Sequence, residues 1–213
     1  MTYCLKRDSL RREAESSLLR LGVDAIDLYQ IHWPFPVEDV KEGWAALVEL
    51  RDEGLVRHIG VSNFDVEQLR SIEGIAPVET LQPQYSLIRR EVEHDVLPYA
   101  ARKRIGVIVY SPMGSGLLTG EMTRTRVAKL PADDWRRDSP DFAEPRLSEH
   151  LAVANRLRVV ARRNGVTAAA VAVAWTLANP AIDGAIVGLR SPKQVEPIVT
   201  GWSAPFDTQL DLL

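Results

Sequence analysis

Five residues that could act on a small molecule occur where short apolar runs of the sequence end: His32, Ser62, Asn63, Gln82 and Tyr110. A histidine can donate a hydrogen bond to a substrate oxygen or exchange a proton, and a tyrosine ring can stack on a flat heterocycle. Serine and amide side chains offer both donors and acceptors. If the runs are parallel strands of a barrel, we expect these side chains to meet at one mouth.

Each of these residues alone also fits a purely structural interpretation. His32 could be a core histidine with a satisfied partner, and Ser62-Asn63 could form a turn that caps the next helix. Gln82 could be a surface side chain, and Tyr110 could pack in the core. The order of the five at consecutive strand ends is a stronger signal than any one of them.

Two further segments could bind phosphates. Residues 111–120 read Ser-Pro-Met-Gly-Ser-Gly-Leu-Leu-Thr-Gly, and their three glycines would let backbone N–H groups approach an anion such as a pyrophosphate. Arg190 and Ser191 precede a short helix predicted from Pro192, and a cation, a hydroxyl and a helix N-terminus together suit a phosphate. Combined with the amide and aromatic residues, these segments fit an extended nicotinamide dinucleotide.

Composition excludes several other classes of function. A net charge of -3 gives no reason to expect nucleic acid or an anionic membrane as a partner, and no apolar run approaches the length of a membrane span. The single cysteine, Cys4, excludes an internal disulfide and a thiolate cluster. No pair of histidines or carboxylates has metal-ligand spacing, so we expect no metal site. The N-terminus lacks a signal-type apolar stretch, which predicts a cytoplasmic protein.

Alternating periodicities indicate the elements that must position these residues. Five runs, apolar on both faces, predict buried parallel strands at residues 26–31, 56–61, 78–82, 106–110 and 184–187. Helical patterns lie between them, which favours either a doubly wound sheet or a β/α barrel. No strand is followed by a Gly-x-Gly-x-x-Gly turn, and the varied polar residues at the strand ends favour the barrel.

Capping residues predict where several of the helices begin and end. Asp8 or Ser9, Asp65 and Thr167 are placed to start a helix. Gly22 and Gly165 are placed to end one in the left-handed conformation.

A closed barrel needs eight strands, so five strands predict roughly the last five β/α units of a TIM-type barrel. We therefore expect residues 1–213 to be the C-terminal portion of a single barrel domain, with the first three units upstream of Met1. The stretch from about Gly114 to Pro145 is long for a barrel loop and is predicted to be a lid or a binding loop.

These motifs, in this order, resemble the aldo-keto reductase family. The matching stretches are residues 17–23, 26–34 (Ile-Asp-Leu-Tyr-Gln-Ile-His-Trp-Pro), 54–64, 110–120 and 188–195 (Gly-Leu-Arg-Ser-Pro-Lys-Gln-Val). The resemblance covers nearly the whole chain and thins after about Pro197. It implies an α/β protein with a (β/α)8 barrel that binds NADPH without a Rossmann domain and reduces an aldehyde or ketone to an alcohol.

The resemblance also implies roles for individual residues. It puts His32 beside the substrate carbonyl as a catalytic residue and Trp33 at the substrate. The implied cofactor contacts are Ser62, Asn63 and Gln82 at the carboxamide, Tyr110 on the nicotinamide ring, Ser111, Met113, Gly114, Ser115, Gly116 and Leu117 along the pyrophosphate, and Arg190, Ser191 and Gln194 at the adenosine end. A cation at that end favours the 2′-phosphate, and therefore NADP over NAD.

Departures from the family pattern concern catalysis and one contact with the adenine. The family uses a tyrosine, a lysine, an aspartate and a histidine, and the first three lie on strands before the helix that precedes His32. Only His32 matches, because Tyr3 and Lys6 have suitable side chains without the strand context. Ile198 occupies the place where an asparagine often meets the adenine.

Three hypotheses follow from these matches and departures. The chain is part of an aldo-keto reductase, a catalytically inactive dinucleotide-binding or regulatory protein of the same fold, or a different barrel enzyme that uses His32 and the phosphate site. The third leaves Ser62, Asn63 and Tyr110 unexplained. The first is preferred, with an NADPH-dependent, hydride-transferring reductase as the predicted function.

Overall fold

The computed structural model describes residues 4–202, except for the side chains of Thr200 and Trp202. Tyr3 lies outside the described residues. The chain divides into two compact units. Unit 1 comprises Met1–Pro83 and Val92–Ile108, and unit 2 comprises Gln84–Glu91 and Val109–Leu213.

Strands and helices alternate along the described residues, as the periodicities predict. The strands are β1 (Ile26–Ile31), β2 (Val56–Ser62), β3 (Thr80–Gln82), β4 (Gly106–Tyr110) and β5 (Gly184–Ile186). The α-helices are α1 (Arg7–Leu21), α2 (Val40–Asp52), α3 (Val66–Glu73), α4 (Val96–Lys103), α5 (Arg124–Ala128), α6 (Arg146–Asn164), α7 (Ala168–Leu177) and α8 (Val195–Trp202). In residues 4–202, no helix combines the length and hydrophobicity needed to cross a bilayer.

The parallel sheet of unit 1 follows the order of its strands in the chain. Ile31 of β1 lies opposite Val61 of β2, and Ser62 lies opposite Gln82 of β3. β3 in turn pairs in parallel with the start of β4. This register brings the carboxyl ends of β1, β2 and β3 to one edge, which confirms the predicted parallel α/β arrangement for these strands.

Helix ends in unit 1 mostly follow the predicted capping residues. The Asp65 carboxylate accepts a hydrogen bond from the Gln68 N–H, forming a capping box at the start of α3. Helix α1 ends at Gly22, whose φ of 67° is left-handed, as predicted. Its start differs, because Lys6, and not Asp8 or Ser9, occupies the N-cap position.

The start of α1 is satisfied by another helix. The Arg7 N–H donates to Glu42 of α2, and the Lys6 ammonium forms ion pairs with Asp39 and Glu42. A carboxylate from α2 therefore replaces the local cap, which nearby sequence cannot reveal. Lys6 therefore lies at the start of a helix, and its ammonium group is held by two ion pairs.

Unit 2 is built around α6 and α7. Leu157, Val160 and Ala161 of α6 pack with Val171 and Ala172 of α7 in a buried cluster. Helix α6 ends at the left-handed Gly165, and the Thr167 hydroxyl accepts from the Ala170 N–H to start α7, both as predicted. Strand β5 follows β4 in the strand order.

The predicted long loop at residues 114–145 is more ordered than its sequence suggests. It contains α5 and 3-10 turns at Gly114–Thr119, Trp135–Arg137 and Pro140–Phe142. Leu117, Met122 and Phe142 are buried in one cluster with Leu147 of α6. These apolar anchors attach the segment to its own unit.

Candidate functional site

Four of the predicted residues meet at the strand ends of unit 1, and we call His32, Ser62, Asn63 and Gln82 the strand-end cluster. The buried Ser62 hydroxyl donates to the Gln82 carbonyl over 2.7 Å. The Asn63 amide donates to the His32 carbonyl over 2.9 Å and to the Ser62 hydroxyl over 3.0 Å. Side-chain hydrogen bonds thus tie the ends of β1, β2 and β3 together.

The conformation of Asn63 explains why this residue type suits the turn. Its φ is 62°, a left-handed value that asparagine tolerates better than most residues. This turn lets the amide reach back across the sheet edge to His32. The Ser62-Asn63 pair therefore has a structural role at the strand end, in addition to any contact with a ligand.

Two side-chain hydrogen bonds, which we call the amide ladder, link Gln82 of the cluster to Gln30 and Thr80. Gln82 Nε2 donates to Gln30 Oε1 over 2.8 Å, and Gln30 Nε2 donates to Thr80 Oγ1 over 3.0 Å. The ladder passes beside Gly60, where an added Cβ would lie 1.9 Å from Thr80 Oγ1. Gln82 Oε1 has no hydrogen-bond partner among residues 4–202, so this oxygen is available to accept from a ligand.

His32 combines a fixed backbone with an available ring. Its carbonyl accepts from Asn63, and its ring stacks on Trp33 with 5.8 Å between centroids. Both side chains are exposed, and within the described part of the chain the imidazole has no hydrogen-bond partner. The ring is therefore free to donate to or accept from a small molecule, and the alternative interpretation of His32 as a core histidine with a satisfied partner is wrong.

A separate groove of about 700 Å³ lies within unit 2. Most of the residues predicted for the other parts of a dinucleotide line it: Tyr110, Ser111, Met113, Ser115, Gly116, Arg190 and Gln194. Gly114 and Leu117 are buried instead, and Leu117 packs in the apolar cluster with Met122. Neither of them, nor Ser191, lines the groove.

The glycine-containing loop reaches its shape through left-handed residues. Ser111, Gly114, Ser115 and Gly116 have φ values of 57°, 55°, 53° and 100°. Such a conformation costs a non-glycine residue about 1–2 kcal/mol, and strain of this kind is characteristic of functional sites. Among the described residues, neither the Ser111 hydroxyl nor the Ser115 hydroxyl has a hydrogen-bond partner.

The backbone N–H groups of this loop differ from the predicted cradle. Gly114 N–H donates to the Ser111 carbonyl, and the N–H groups of Gly116 and Leu118 both donate to the Met113 carbonyl. These donors are used inside the loop. Hydroxyl groups, and not these three amides, are therefore the donors that the loop offers to an anion.

Gln194 holds the loop that carries Arg190. Its side-chain oxygen accepts from the Arg190 N–H over 2.7 Å and from the Ser191 N–H over 3.3 Å. Ser191 and Gln194 together form a capping box on the 3-10 turn Pro192–Gln194. The loop backbone is thereby fixed, while the Arg190 side chain remains exposed.

Several groove residues were not predicted from the sequence. Within unit 2, Arg126, Trp135, Arg136 and Lys193 also line the groove. The signal that could have found the first three is the series of capping residues in the predicted loop. The side chains of Thr123 and Asp134 accept from backbone N–H groups two or three residues later.

Arg136 is the buried cation of the groove wall. Its guanidinium donates to both oxygens of Asp134, over 2.9 and 2.6 Å, and lies over the Phe142 ring. The Arg136 hydrogen bonds lower the pKa of Asp134 to about 2. The pair is therefore charged and internally neutralised at neutral pH.

These features fit the anionic and aromatic parts of a dinucleotide. The groove volume lies within the range of small-molecule sites. Tyrosine is neutral at physiological pH, and burial raises the pKa of Tyr110 further, so its ring presents a neutral face. In residues 4–202 no cluster of histidine, cysteine or carboxylate residues has the arrangement of a metal site.

Comparisons with known proteins agree with the motifs. The sequence model of the aldo/keto reductase family matches residues 1–210. Aldo-keto reductase YhdN of Bacillus subtilis is 41% identical over 97% of this chain, and the NADH-specific methylglyoxal reductase of Escherichia coli is 32% identical over 90%. The chain spans 62% and 58% of the lengths of these two relatives.

The fold has solved counterparts. The structure of glycerol dehydrogenase AKR11B4 from Gluconobacter oxydans superposes with a TM-score of 0.85 at 36% identity. The superposition covers 92% of this chain and 59% of that one. An α/β fold of the TIM-barrel type is thus consistent with the parallel sheet described above.

Proposed function

Since the chain belongs to the aldo/keto reductase family, we propose that it binds NADPH and reduces an aldehyde or ketone to an alcohol. The observation that carries the cofactor part is the groove of unit 2. It combines the neutral aromatic face of Tyr110 with the unpartnered hydroxyls of Ser111 and Ser115 and the exposed cation of Arg190. When bound, a reduced nicotinamide supplies the hydride.

The strand-end cluster would hold the neutral carboxamide. Gln82 Oε1 is free to accept from an amide N–H, while Ser62 and Asn63 keep the strand ends in register. In this proposal His32 donates to the substrate carbonyl oxygen and so polarises the carbonyl. Trp33, exposed and stacked on His32, would bound the substrate on that side.

Arg190 supports NADP over NAD, because its exposed guanidinium suits a 2′-phosphate. Gln194 supports this role indirectly by fixing the Arg190 loop. The relative from Escherichia coli is described as NADH-specific, so cofactor choice varies among similar proteins.

The test is a titration of purified protein with NADPH followed by an assay on a generic aldehyde. We expect saturable binding, and His32→Asn to lower kcat by about 100-fold while leaving the Kd for NADPH unchanged. His58→Asn is the matched control, because His58 lies on β2 and pairs with Glu79. Absence of NADPH binding to the folded protein would contradict the proposal.

A second candidate is a catalytically inactive dinucleotide-binding protein of the same fold. It is favoured by the groove, whose lining residues all belong to unit 2 and require no catalytic residue. NADPH binding without turnover in the assay above would select this candidate.

Three structural expectations remain predictions. They are a single barrel domain over residues 1–213, three further β/α units upstream of Met1, and a cytoplasmic location. The reading frame upstream of the Met1 codon tests the second directly. The convergence of all five strand-end residues on one mouth likewise remains a prediction.

A further inference from the structure

A second concavity of unit 2, which we call the cationic notch, has a volume of about 450 Å³. It is lined by α5, by the turn that follows it and by the Arg190 loop. The hydroxyl-bearing and cationic side chains of the notch are Thr123, Thr125, Arg126, Lys129, Arg136 and Arg190. Arg126, Arg136 and Arg190 line the groove as well, so the notch adjoins the Arg190 end of the groove.

The charges of the notch do not cancel. Arg136 is neutralised by Asp134, which accepts two hydrogen bonds from its guanidinium. Arg126, Lys129 and Arg190, by contrast, form no ion pair with a carboxylate of residues 4–202. Three unpaired cations therefore line one concavity, and the carboxylate that lines it, Asp134, is already paired with Arg136.

The backbone that carries the two cations of the α5 segment is held in place. Arg126 and Lys129 are three residues apart, which puts them on the same side of a helical turn. The Thr123 hydroxyl accepts from the Arg126 N–H, and Met122 and Leu130 are buried on either side. The Arg126 and Lys129 side chains themselves are exposed, and the Arg126 guanidinium donates to the Glu121 carbonyl over 3.3 Å. A fixed backbone lowers the entropic cost of bringing both cations to one anion.

A phosphate monoester is the anion that this arrangement suits. It carries close to two negative charges at neutral pH and three strong acceptor oxygens. Arginine matches phosphate oxygens with two parallel donors, and lysine adds a point charge. The Thr125 hydroxyl, without a partner in the described part of the chain, adds a further donor.

We propose that the cationic notch binds a phosphate monoester, and that Arg126 and Lys129 act with Arg190 as specificity-determining residues. The phosphate comes either from the 2′-position of a bound NADPH or from free phosphate. The first source rests on the proposed function, and the second does not. With the first source, α5 and the Arg190 loop together set the preference for NADPH over NADH.

The experiment measures Kd by isothermal titration calorimetry in a phosphate-free buffer. The ligands are NADPH, NADH and inorganic phosphate. The variants are Arg126→Gln, Lys129→Gln, the double variant and Arg126→Lys, which keeps the charge. Arg124→Gln is the matched control, because Arg124 lies on the same helix but binds Glu144 and Ser148 outside the notch.

We expect Arg126→Gln and Lys129→Gln each to weaken NADPH binding by about tenfold, because each removes one charged partner of the phosphate. NADH binding should stay unchanged, Arg126→Lys should retain most of the NADPH affinity, and Arg124→Gln should behave as wild type. Equal weakening of NADPH and NADH, or unchanged NADPH binding in the folded double variant, would overturn the proposal.

The phosphate titration separates this proposal from the proposed function. If the wild type binds neither dinucleotide, the proposed function fails. Phosphate binding that is strong in the wild type and lost in the double variant would then support the notch with free phosphate as its ligand. Phosphate binding that is absent from both, or equal in both, would overturn the notch as well.

Discussion

Polar side chains in the strand-end cluster of unit 1 bond mainly to one another and to the backbone of neighbouring strands. Those of the groove in unit 2 include unpartnered hydroxyls and unpaired cations. The first region is suited to positioning neutral groups, and the second to attracting an anion. In the proposed function, the first region would bind the carboxamide of NADPH and the second its phosphates.

The two regions also reach their shapes differently. The cluster depends on strand register and on a close approach at Gly60, whereas the groove depends on left-handed residues in a loop. Disturbing the register should therefore cost more stability than disturbing the loop. Substitutions at four positions test this difference.

The largest effect is expected for Gly60→Ala. An alanine Cβ would lie 1.9 Å from Thr80 Oγ1 and 2.6 Å from the Thr80 carbonyl, so β2 and β3 must separate. We expect the free energy of unfolding to fall by about 3 kcal/mol in urea titrations followed by circular dichroism. Gly74→Ala, where no atom lies within 4 Å, is the control and should be close to neutral. A tolerated Gly60→Ala would contradict the role assigned to register.

The second effect separates backbone from side chain at Asn63. Asn63→Ala loses two hydrogen bonds and places alanine in a left-handed conformation, for about 2 kcal/mol of lost stability. Asn63→Gly loses the bonds but tolerates the conformation, for about 1 kcal/mol. Equal losses in urea titrations of the two variants would show that the left-handed turn carries no cost.

The sequence predicts the elements of unit 1 better than it predicts the contacts between them. The apolar runs and the residues Asp65, Gly22 and Thr167 predicted strands and helix ends, because these signals are local. The cap of α1 by Glu42 could not be predicted, since its partner lies 35 residues away. Likewise, no local signal indicates that Gln30 and Gln82 bond across the sheet.

The groove was predicted only in outline. The glycine-containing motif and Arg190 pointed to phosphates, but Leu117 proved to be a core residue because the loop turns it toward Met122. Arg126 and Trp135 were missed because they lie in a segment that looked structureless. Their positions depend on apolar anchors such as Met122 and Phe142, which periodicity does not reveal over so short a helix.

A smaller effect is expected for Gly116→Ala in the groove. The new Cβ would meet only ordinary contacts, at 3.6 Å from Met122 and 3.8 Å from Arg136, so strain at φ 100° is the main cost. We expect about 1 kcal/mol of lost stability together with weaker NADPH binding, measured by urea titration and calorimetry. Gly188→Ala, which has open space and no left-handed φ, is the control for stability. Unchanged stability and unchanged NADPH affinity in Gly116→Ala would contradict the role assigned to the left-handed loop.

The smallest effect is a pH dependence in the groove wall. Because the folded-state pKa of Asp134 is lowered to about 2, its pair with Arg136 stabilises the fold above the ordinary aspartate pKa near 4. That contribution is lost as the pH falls from about 4 through 2. The difference in Tm between wild type and Asp134→Asn should therefore shrink over this range. A difference that is constant from pH 7 to pH 2 would contradict the pairing.

The division of labour between the regions is tested most directly by calorimetric titration with NADPH and with adenosine 2′,5′-bisphosphate, which lacks the nicotinamide. The proteins are wild type, Asn63→Gly and Arg190→Gln, each checked for folding by circular dichroism. We predict that Asn63→Gly weakens NADPH but not the bisphosphate, and that Arg190→Gln weakens both by a similar factor. Failure of folded wild type to bind either ligand, or equal weakening of both ligands by Asn63→Gly, would contradict the account.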